Sequence, residues 1–396
     1  MTSKDKLSTE SYKGVRDFYP ADMRVRNYMF RVIRETVESY GFEEYDASIL
    51  EPAELYESKT SEEIVREQTY TFTDRGDRNV TLRPEMTPTV ARMVAGGRRE
   101  LGFPLRWYSI PNLFRYERPQ RGRLREHYQL NADIFGSKSM EADIEIISLA
   151  HKILTNFGAK ESDFEIRINN RGALKKALMQ NMSDEEAEAE LSKMDKGNSN
   201  ASFNIEIPEE TQKIIDSLKE RGITNIRFDQ TLVRGFSYYT GTIFEVFDTN
   251  SENSRSLFGG GRYDNLTTLF DDEQIPAVGF GMGDVTLRDF LETHGLLPDT
   301  ASEPKVFIAT IDIEPKKAQK VADDLRQNNI PVEINISDKK LGDQIKLAEK
   351  HAATHLIVLG ETELQNEKLT IRNLSTRDEK EFSFADTKDQ ITFILS

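Results

Sequence analysis

The apolar positions Val25, Tyr28, Met29, Val32, Ile33, Val37 and Tyr40 recur at three- and four-residue spacing, which predicts an amphipathic helix over residues 23–40. Gly41 stands where helices commonly stop. Residues 42–46 then read as a strand, and Pro52 closes the segment. A second helix is expected over 88–99. Apolar runs at 105–112 and 128–135 predict two strands around a polar, basic stretch, which makes that stretch a hairpin-like loop. Ile144, Ile147, Leu149, Ala150 and Leu154 place a helix over 141–157. Between 171 and 220 the chain is rich in Ala, Lys, Glu and Ser, the pattern of a helical insertion with a solvated face. Strands return at 226–233 and 241–247, followed by Gly259-Gly260-Gly261 and an apolar, glycine-rich stretch at 276–283. Residues 295–304, with two prolines, form the clearest linker. Beyond it strands (306–311, 332–336, 355–359) alternate with helices (315–328, 341–352), which predicts a small α/β domain with a mainly parallel sheet. The expected organisation is a core over 1–168, a helical insertion over 169–222, the core again over 223–294, the linker, and a second domain over 305–396.

Composition narrows the class. Of the 396 residues, 37% are hydrophobic and 31% charged. No run of about 18 apolar residues exists, so no membrane-spanning helix is expected. Cysteine is absent, which excludes disulfides, thiolate metal sites and a cysteine nucleophile. The first ten residues are polar, so no secretory signal is expected and the cytoplasm is the default compartment. The five histidines are scattered, so no metal site is expected from a protein motif. Net charge is -15, which by itself argues mildly against nucleic-acid binding. Local fields decide contacts, however, because screening acts over about 8 Å. Arg115, Arg118, Arg121, Arg123 and Arg125 outnumber Glu117 and Glu126 between 115 and 127, a local charge of +3 that points to an anionic ligand.

That segment carries the clearest chemistry. An arginine leaving a strand (Arg115), an acid two residues on (Glu117), a basic loop and a returning strand suit a nucleoside triphosphate. Guanidinium forks bind phosphate bidentately and stabilise charge that builds up in nucleotidyl transfer. Charge alone fits a solvated surface hairpin equally well.

The wording of the segment is more specific than its charge. Phe114-Arg115-Tyr116-Glu117-Arg118-Pro119-Gln120-Arg121-Gly122-Arg123, continuing to Tyr128-Gln129-Leu130-Asn131-Ala132-Asp133, resembles motif 2 of the class II aminoacyl-tRNA synthetases, in the form that the histidine-specific family carries. Tyr19-Pro20 and the stretch 26–52 resemble motif 1. Thr81-Leu82-Arg83-Pro84-Glu85-Met86-Thr87 is similar to the family's amino-acid-binding loop. Leu232-Val233-Arg234-Gly235-Phe236-Ser237-Tyr238-Tyr239 and Gly259-Gly260-Gly261-Arg262-Tyr263-Asp264 resemble its two histidine signatures.

The resemblance implies an α+β catalytic core, an antiparallel sheet with flanking helices, interrupted by a helical insertion and followed by an α/β anticodon-binding domain. It implies ATP-dependent attachment of histidine to tRNA(His) through a histidyl-adenylate, by a cytoplasmic homodimer that pairs through motif 1. Arg234 and Arg115 would be catalytic. Glu85, Thr87, Gln129, Asp133, Arg234, Tyr238 and Tyr239 would hold histidine. Arg115, Glu117, Arg123 and His127 would hold ATP, with Mg2+ accompanying it. Arg118 and Gln120 would meet the tRNA acceptor end. The glycine triplet would allow close backbone approach to a ligand.

The chain departs from the pattern in motif 3, where the expected acid–arginine pair is Val285-Thr286. Arg288 comes two residues late, about 200° round a helix. His127 replaces an aromatic that usually stacks on adenine. A regulatory paralogue of the ATP phosphoribosyltransferase type, which does not charge tRNA, is the alternative reading, and a nucleotide-binding ligase of another type is a third.

Overall fold

Pro20 occupies the first turn of a helix that runs Pro20–Ser39, so the helix starts earlier than periodicity alone predicts. Proline is tolerated there because the N–H it lacks would have no intrahelical partner. Gly41, with φ of +78°, turns the chain after it. Met29, Phe30, Ile33, Thr36 and Val37 are its buried face and meet the helix Met140–Asn156. That second helix is capped by Ser139, whose hydroxyl accepts from the Glu141 amide at 3.2 Å. It buries Ile144, Ile147, Ile153 and Leu154, each worth about 1.5–3 kcal/mol.

The computed structural model describes residues 7–57, 68–118, 122–195, 206–234, 238–253, 255–271, 273–298 and 305–395. Packing divides the chain into two units, Met1–Leu297 and Pro298–Ser396. Among the described residues the first is built on a nine-stranded sheet. Its central strands are Leu105–Ser109, Glu126–Phe135, Ala277–Gly283, Ser256–Arg262, Thr242–Asp248 and Phe164–Asn170, each antiparallel to the next. Short parallel strands, Glu43–Glu44 and Ile226–Phe228, finish the two edges.

Strand alternation decides what faces the site. Along Glu126–Phe135, Leu130, Ala132 and Ile134 join the main core, and residues 127, 129, 131 and 133 point to the opposite face. Along Ala277–Gly283, Val278, Phe280 and Met282 enter the core while Gly279, Gly281 and Gly283 face the site.

Several elements near the site differ from the sequence reading. The strand expected over 105–112 breaks at Ile110-Pro111, and Asn112–Phe114 pairs separately with Glu126–Phe135. The strand expected over 226–233 stops at Phe228, because the Asp229 carboxylate accepts from both the amide and the hydroxyl of Thr231 and turns the chain. The helices between 169 and 222 do not form one body. Arg171–Leu178 and Asp184–Asp195 share a small apolar cluster through Leu174, Leu178, Ala187 and Leu191. Glu209–Glu220 instead lays Ile214, Ile215 and Leu218 into the main core against Met140–Asn156.

The second unit has a five-stranded sheet in the order Val332–Ile334, Val306–Thr310, His355–Leu359, Lys368–Asn373 and Glu379–Ser383. The first three are parallel and the last two antiparallel, so the sheet is mixed. The alternation of Leu369 and Ile371 with Lys368, Thr370 and Arg372 is that of a half-buried hairpin strand. The linker residues 299–304 lie outside the described residues.

Candidate active site

Two adjoining cavities open on the polar face of the large sheet. The smaller is lined by Glu85, Thr87, Arg115, Gln129, Asn131, Asp133, Arg234, Tyr238, Tyr239 and Tyr263 over a floor of glycines. The larger is lined by Arg115, Glu117, Arg123, His127, Gln129, Arg234, Glu245 and Thr286. Arg115, Gln129 and Arg234 border both. Every residue that the sequence reading assigns to histidine is therefore in the first cavity, and every one assigned to ATP in the second.

Each side chain has a local reason to be there. Arg83 is buried and donates to the Ala47 carbonyl at 2.7 Å and the Asn112 carbonyl at 3.1 Å, which pins the turn that carries Glu85. Arg115 Nε donates to the Pro84 carbonyl at 2.9 Å, tying the motif 2 strand end to the same turn. Thr87 begins the helix Thr87–Gly97. Glu85 is buried, and the Tyr238 hydroxyl donates to its Oε2 at 3.2 Å. Rings of Tyr238 and Tyr239 lie 4.9 Å apart between centroids.

Asp133 ends the row of polar residues and lines the smaller cavity. The Tyr263 hydroxyl donates to its Oδ1 at 2.5 Å. Burial pushes its carboxyl up to about 7, with the Tyr263 hydrogen bond pulling the other way. His127 lies at the other end of the row, in the larger cavity. Burial lowers its imidazole to about 3, helped by Arg115 and Arg16, so the ring is neutral at ordinary pH.

The glycines serve the protein's own side chains rather than only a ligand, which corrects the expectation for the triplet. A Cβ on Gly259 would strike the Arg234 guanidinium, one on Gly279 the Asp133 carboxylate and one on Gly281 the Gln129 amide. Gly260 faces the opposite side, where a Cβ would strike Phe280 in the core. Arg234 Nη1 donates to Glu245 Oε1 at 2.7 Å, and Glu245 sits opposite Gly259 in the strand register.

Three residues of this site escape the sequence reading: Tyr263, Asn131 and Glu245. Tyr263 had a signal, since it lies in the second signature, and the structure separates that signature's parts. Arg262 is a buried staple that holds Asp143 and the Ser137 and Ser139 carbonyls, while Tyr263 reaches the pocket. Glu245 had no local signal, because only the sheet register brings it to Arg234.

The five motif 2 arginines part company. Arg115 and Arg123 line the cavities, and Arg123 Nη1 lies 3.4 Å from Glu117 Oε2. Arg125 is buried and bonds to the protein instead. Arg118 is exposed, and Gln120 and Arg121 lie outside the described residues, as do residues 235–237 of the first signature. At motif 3, Thr286 lines the larger cavity and donates to the Leu257 carbonyl at 2.7 Å. Arg288 pairs with Glu292 at 2.7 Å and with Asp22 at 3.5 Å, as its position round the helix requires.

Comparison with known proteins agrees with this geometry. The family model described as histidyl-tRNA synthetase matches residues 14–201 and 169–284, and that described as anticodon binding domain matches 305–393. A histidine–tRNA ligase of Leptospira biflexa is 44% identical, over 99% of both chains. One of Thermoplasma volcanium is 36% identical over 96% of this chain and 97% of its own. The crystal structure of apo histidyl-tRNA synthetase from S. aureus superposes with a TM-score of 0.77 at 27% identity, covering 97% of this chain and 99% of the other.

Proposed function

The chain belongs to the histidyl-tRNA synthetase family, and we propose that its smaller cavity binds histidine while the larger one binds ATP. The enzyme uses ATP to attach histidine to tRNA. In our reading, the Glu85 carboxylate meets the histidine ammonium, with Thr87 and Gln129 as further partners. Asp133, oriented by Tyr263, takes the imidazole, and a polar pocket floor of this kind rejects apolar amino acids. Arg234 and Arg115, on the border of both cavities, sit where the histidine carboxylate must approach the α-phosphate.

The first step is then attack of that carboxylate oxygen on the α-phosphorus, with pyrophosphate leaving and a histidyl-adenylate formed. Two guanidinium groups on the border offset repulsion between the two anions and stabilise charge on the transferring phosphoryl group. Glu117 and the neutral His127 face the adenine side. Mg2+ enters with the triphosphate, since the acids of this cavity are already engaged by Arg123 and Arg234. In the second step the terminal ribose hydroxyl of tRNA(His) loses its proton and attacks the adenylate carbonyl, the carbonyl–phosphate oxygen bond breaks, and AMP leaves as the histidyl ester forms. Arg118 and Gln120 would meet the acceptor end, where a bidentate contact to a guanine gives about 1–3 kcal/mol of discrimination. A homodimer through motif 1 is also proposed; Ile49 and Leu50 leave apolar surface exposed there.

The observation that carries this reading is that two arginines, Arg115 and Arg234, line both of two adjoining cavities, one of which holds Glu85 and Asp133 and the other Glu117 and Glu245. The same set weighs against the non-charging regulatory paralogue, as does the anticodon-binding match over 305–393. The test is ATP–pyrophosphate exchange with each of the twenty amino acids. Exchange with histidine alone is expected; exchange with another amino acid, or with none, would overturn it. No helix of the described residues is long and apolar enough to cross a membrane.

A further inference from the structure

Arg125 looked from the sequence like part of the anion site, yet its guanidinium turns away from both cavities. It is 8% exposed. Its Nε donates to the Glu117 carbonyl at 3.2 Å, and its Nη1 to the Tyr12 hydroxyl at 3.1 Å and the Lys13 carbonyl at 3.3 Å. Its plane lies 3.9 Å from the Tyr116 ring centre. Its amide donates to the Gly14 carbonyl at 2.7 Å, and Gly14 has φ of +87°, a left-handed turn suited to glycine. Two residues on, Arg16 Nη2 reaches Asp284 Oδ2 at 2.7 Å. Asp284 is buried at the start of the helix Asp284–Thr293, and its other oxygen accepts from the Tyr128 amide at 2.9 Å. Residues 12–16 thus hold both walls of the larger cavity. One wall is the motif 2 hairpin with Glu117 and Arg123, and the other is the helix start with Val285 and Thr286.

We propose that residues 12–16 are a positioning strap for the nucleotide site, with Arg125 and Arg16 as its two anchors. The strap matters in this chain because no motif 3 arginine reaches across the cavity to join its walls. Thr286 stands in its place with a side chain spent on the Leu257 carbonyl. The inference rests on reading the larger cavity as the ATP site. Arg125→Lys keeps the charge but lacks the planar fork that meets Tyr12, Lys13 and Glu117 at once. Arg16→Gln removes the charge that faces Asp284. Tyr12→Phe removes one hydroxyl from a half-exposed ring, so it leaves the fold intact.

Pyrophosphate exchange is measured with ATP varied and then with histidine varied. For Arg125→Lys and Arg16→Gln, KM for ATP is expected to rise at least fivefold, with KM for histidine within twofold. Tyr12→Phe is expected to shift the same way by a smaller factor. A rise of both KM values together, or an unchanged KM for ATP in all three variants, would overturn the strap. Arg123→Ala separates the two readings. If it raises KM for ATP while the strap variants do not, only the strap fails. If it too leaves KM for ATP unchanged, the ATP assignment fails and the strap with it.

Discussion

Arg234 reaches its place because Gly259 has no side chain. A Cβ there would occupy the position of the guanidinium, and Glu245 from the neighbouring strand holds the same group from below. In the proposed reading, this guanidinium offsets repulsion between the two anionic substrates and stabilises the charge that forms during transfer. Arg234→Ala is expected to lower the single-turnover rate of adenylate formation by at least two orders of magnitude, about 3 kcal/mol, as for one lost oxyanion donor. A near-normal rate would remove Arg234 from the chemistry. Asp133 allows a pH test. Its carboxyl is pushed up to about 7 from 3.8, so between these values the folded protein keeps a proton that the unfolded chain has released. The stability linked to this group is fully present below about pH 4 and is lost as pH rises toward about 7, by at most about 1.4 kcal/mol per pH unit. Asp133→Asn should therefore melt above the parent at about pH 8 and show no such advantage at about pH 4. A melting difference that does not change with pH would contradict this.

At the scale of elements, the strand Ala277–Gly283 does two jobs by alternation. Its even-numbered residues Val278, Phe280 and Met282 build the core, and its odd-numbered glycines make room for Asp133 and Gln129. Gly279→Ala places a methyl group on the Asp133 carboxylate and the Ala132 carbonyl, which cannot move without breaking the strand pair. KM for histidine is expected to rise at least tenfold, measured by pyrophosphate exchange. Gly281→Ala meets only the end of the Gln129 side chain, at 2.9 Å, so its effect should be smaller. The reverse order would mean that Asp133 is not the pocket floor. On the next helix, Arg288 faces Asp22 and Glu292 rather than the larger cavity. Arg288→Ala is expected to leave KM for ATP within twofold, and a larger change would mean that it reaches the phosphates after all.

The whole molecule consists of two units with separate apolar clusters. Val306, Ile308, Val321, Leu325, Ile357 and Ile371 form the core of the second without help from the first. Both cavities lie wholly in the first. A chain ending after Leu297 is expected to retain histidine-dependent pyrophosphate exchange within about tenfold, yet lose most charging of tRNA. Purified protein assayed for both reactions checks this, and equal loss of the two would show that the second unit supports the adenylation site itself.

Much of this was legible along the chain, and the reason is locality. The helices expected over 23–40 and 141–157 show in spacing alone, though the first begins a turn earlier at Pro20, because an apolar stripe is a property of neighbours three and four apart. Glu85, Gln129, Asp133, Arg234 and Tyr238 were singled out through the resemblance of short motifs to a known family, and the fold brings all five to one cavity. Residues at fixed offsets on a strand or turn keep one face whatever surrounds them. Tertiary structure decided the rest. The helix Glu209–Glu220 looked like part of an insertion because its exposed face is as charged as its neighbours', and only packing sends Ile214 and Leu218 into the main core. Glu245 became the partner of Arg234, and Gly279 the seat of Asp133, through register between strands far apart in sequence. Arg125 reads the same as Arg123 in a basic loop. Which of two such residues meets the ligand depends on the surface folded against each, here a turn more than a hundred residues away along the chain.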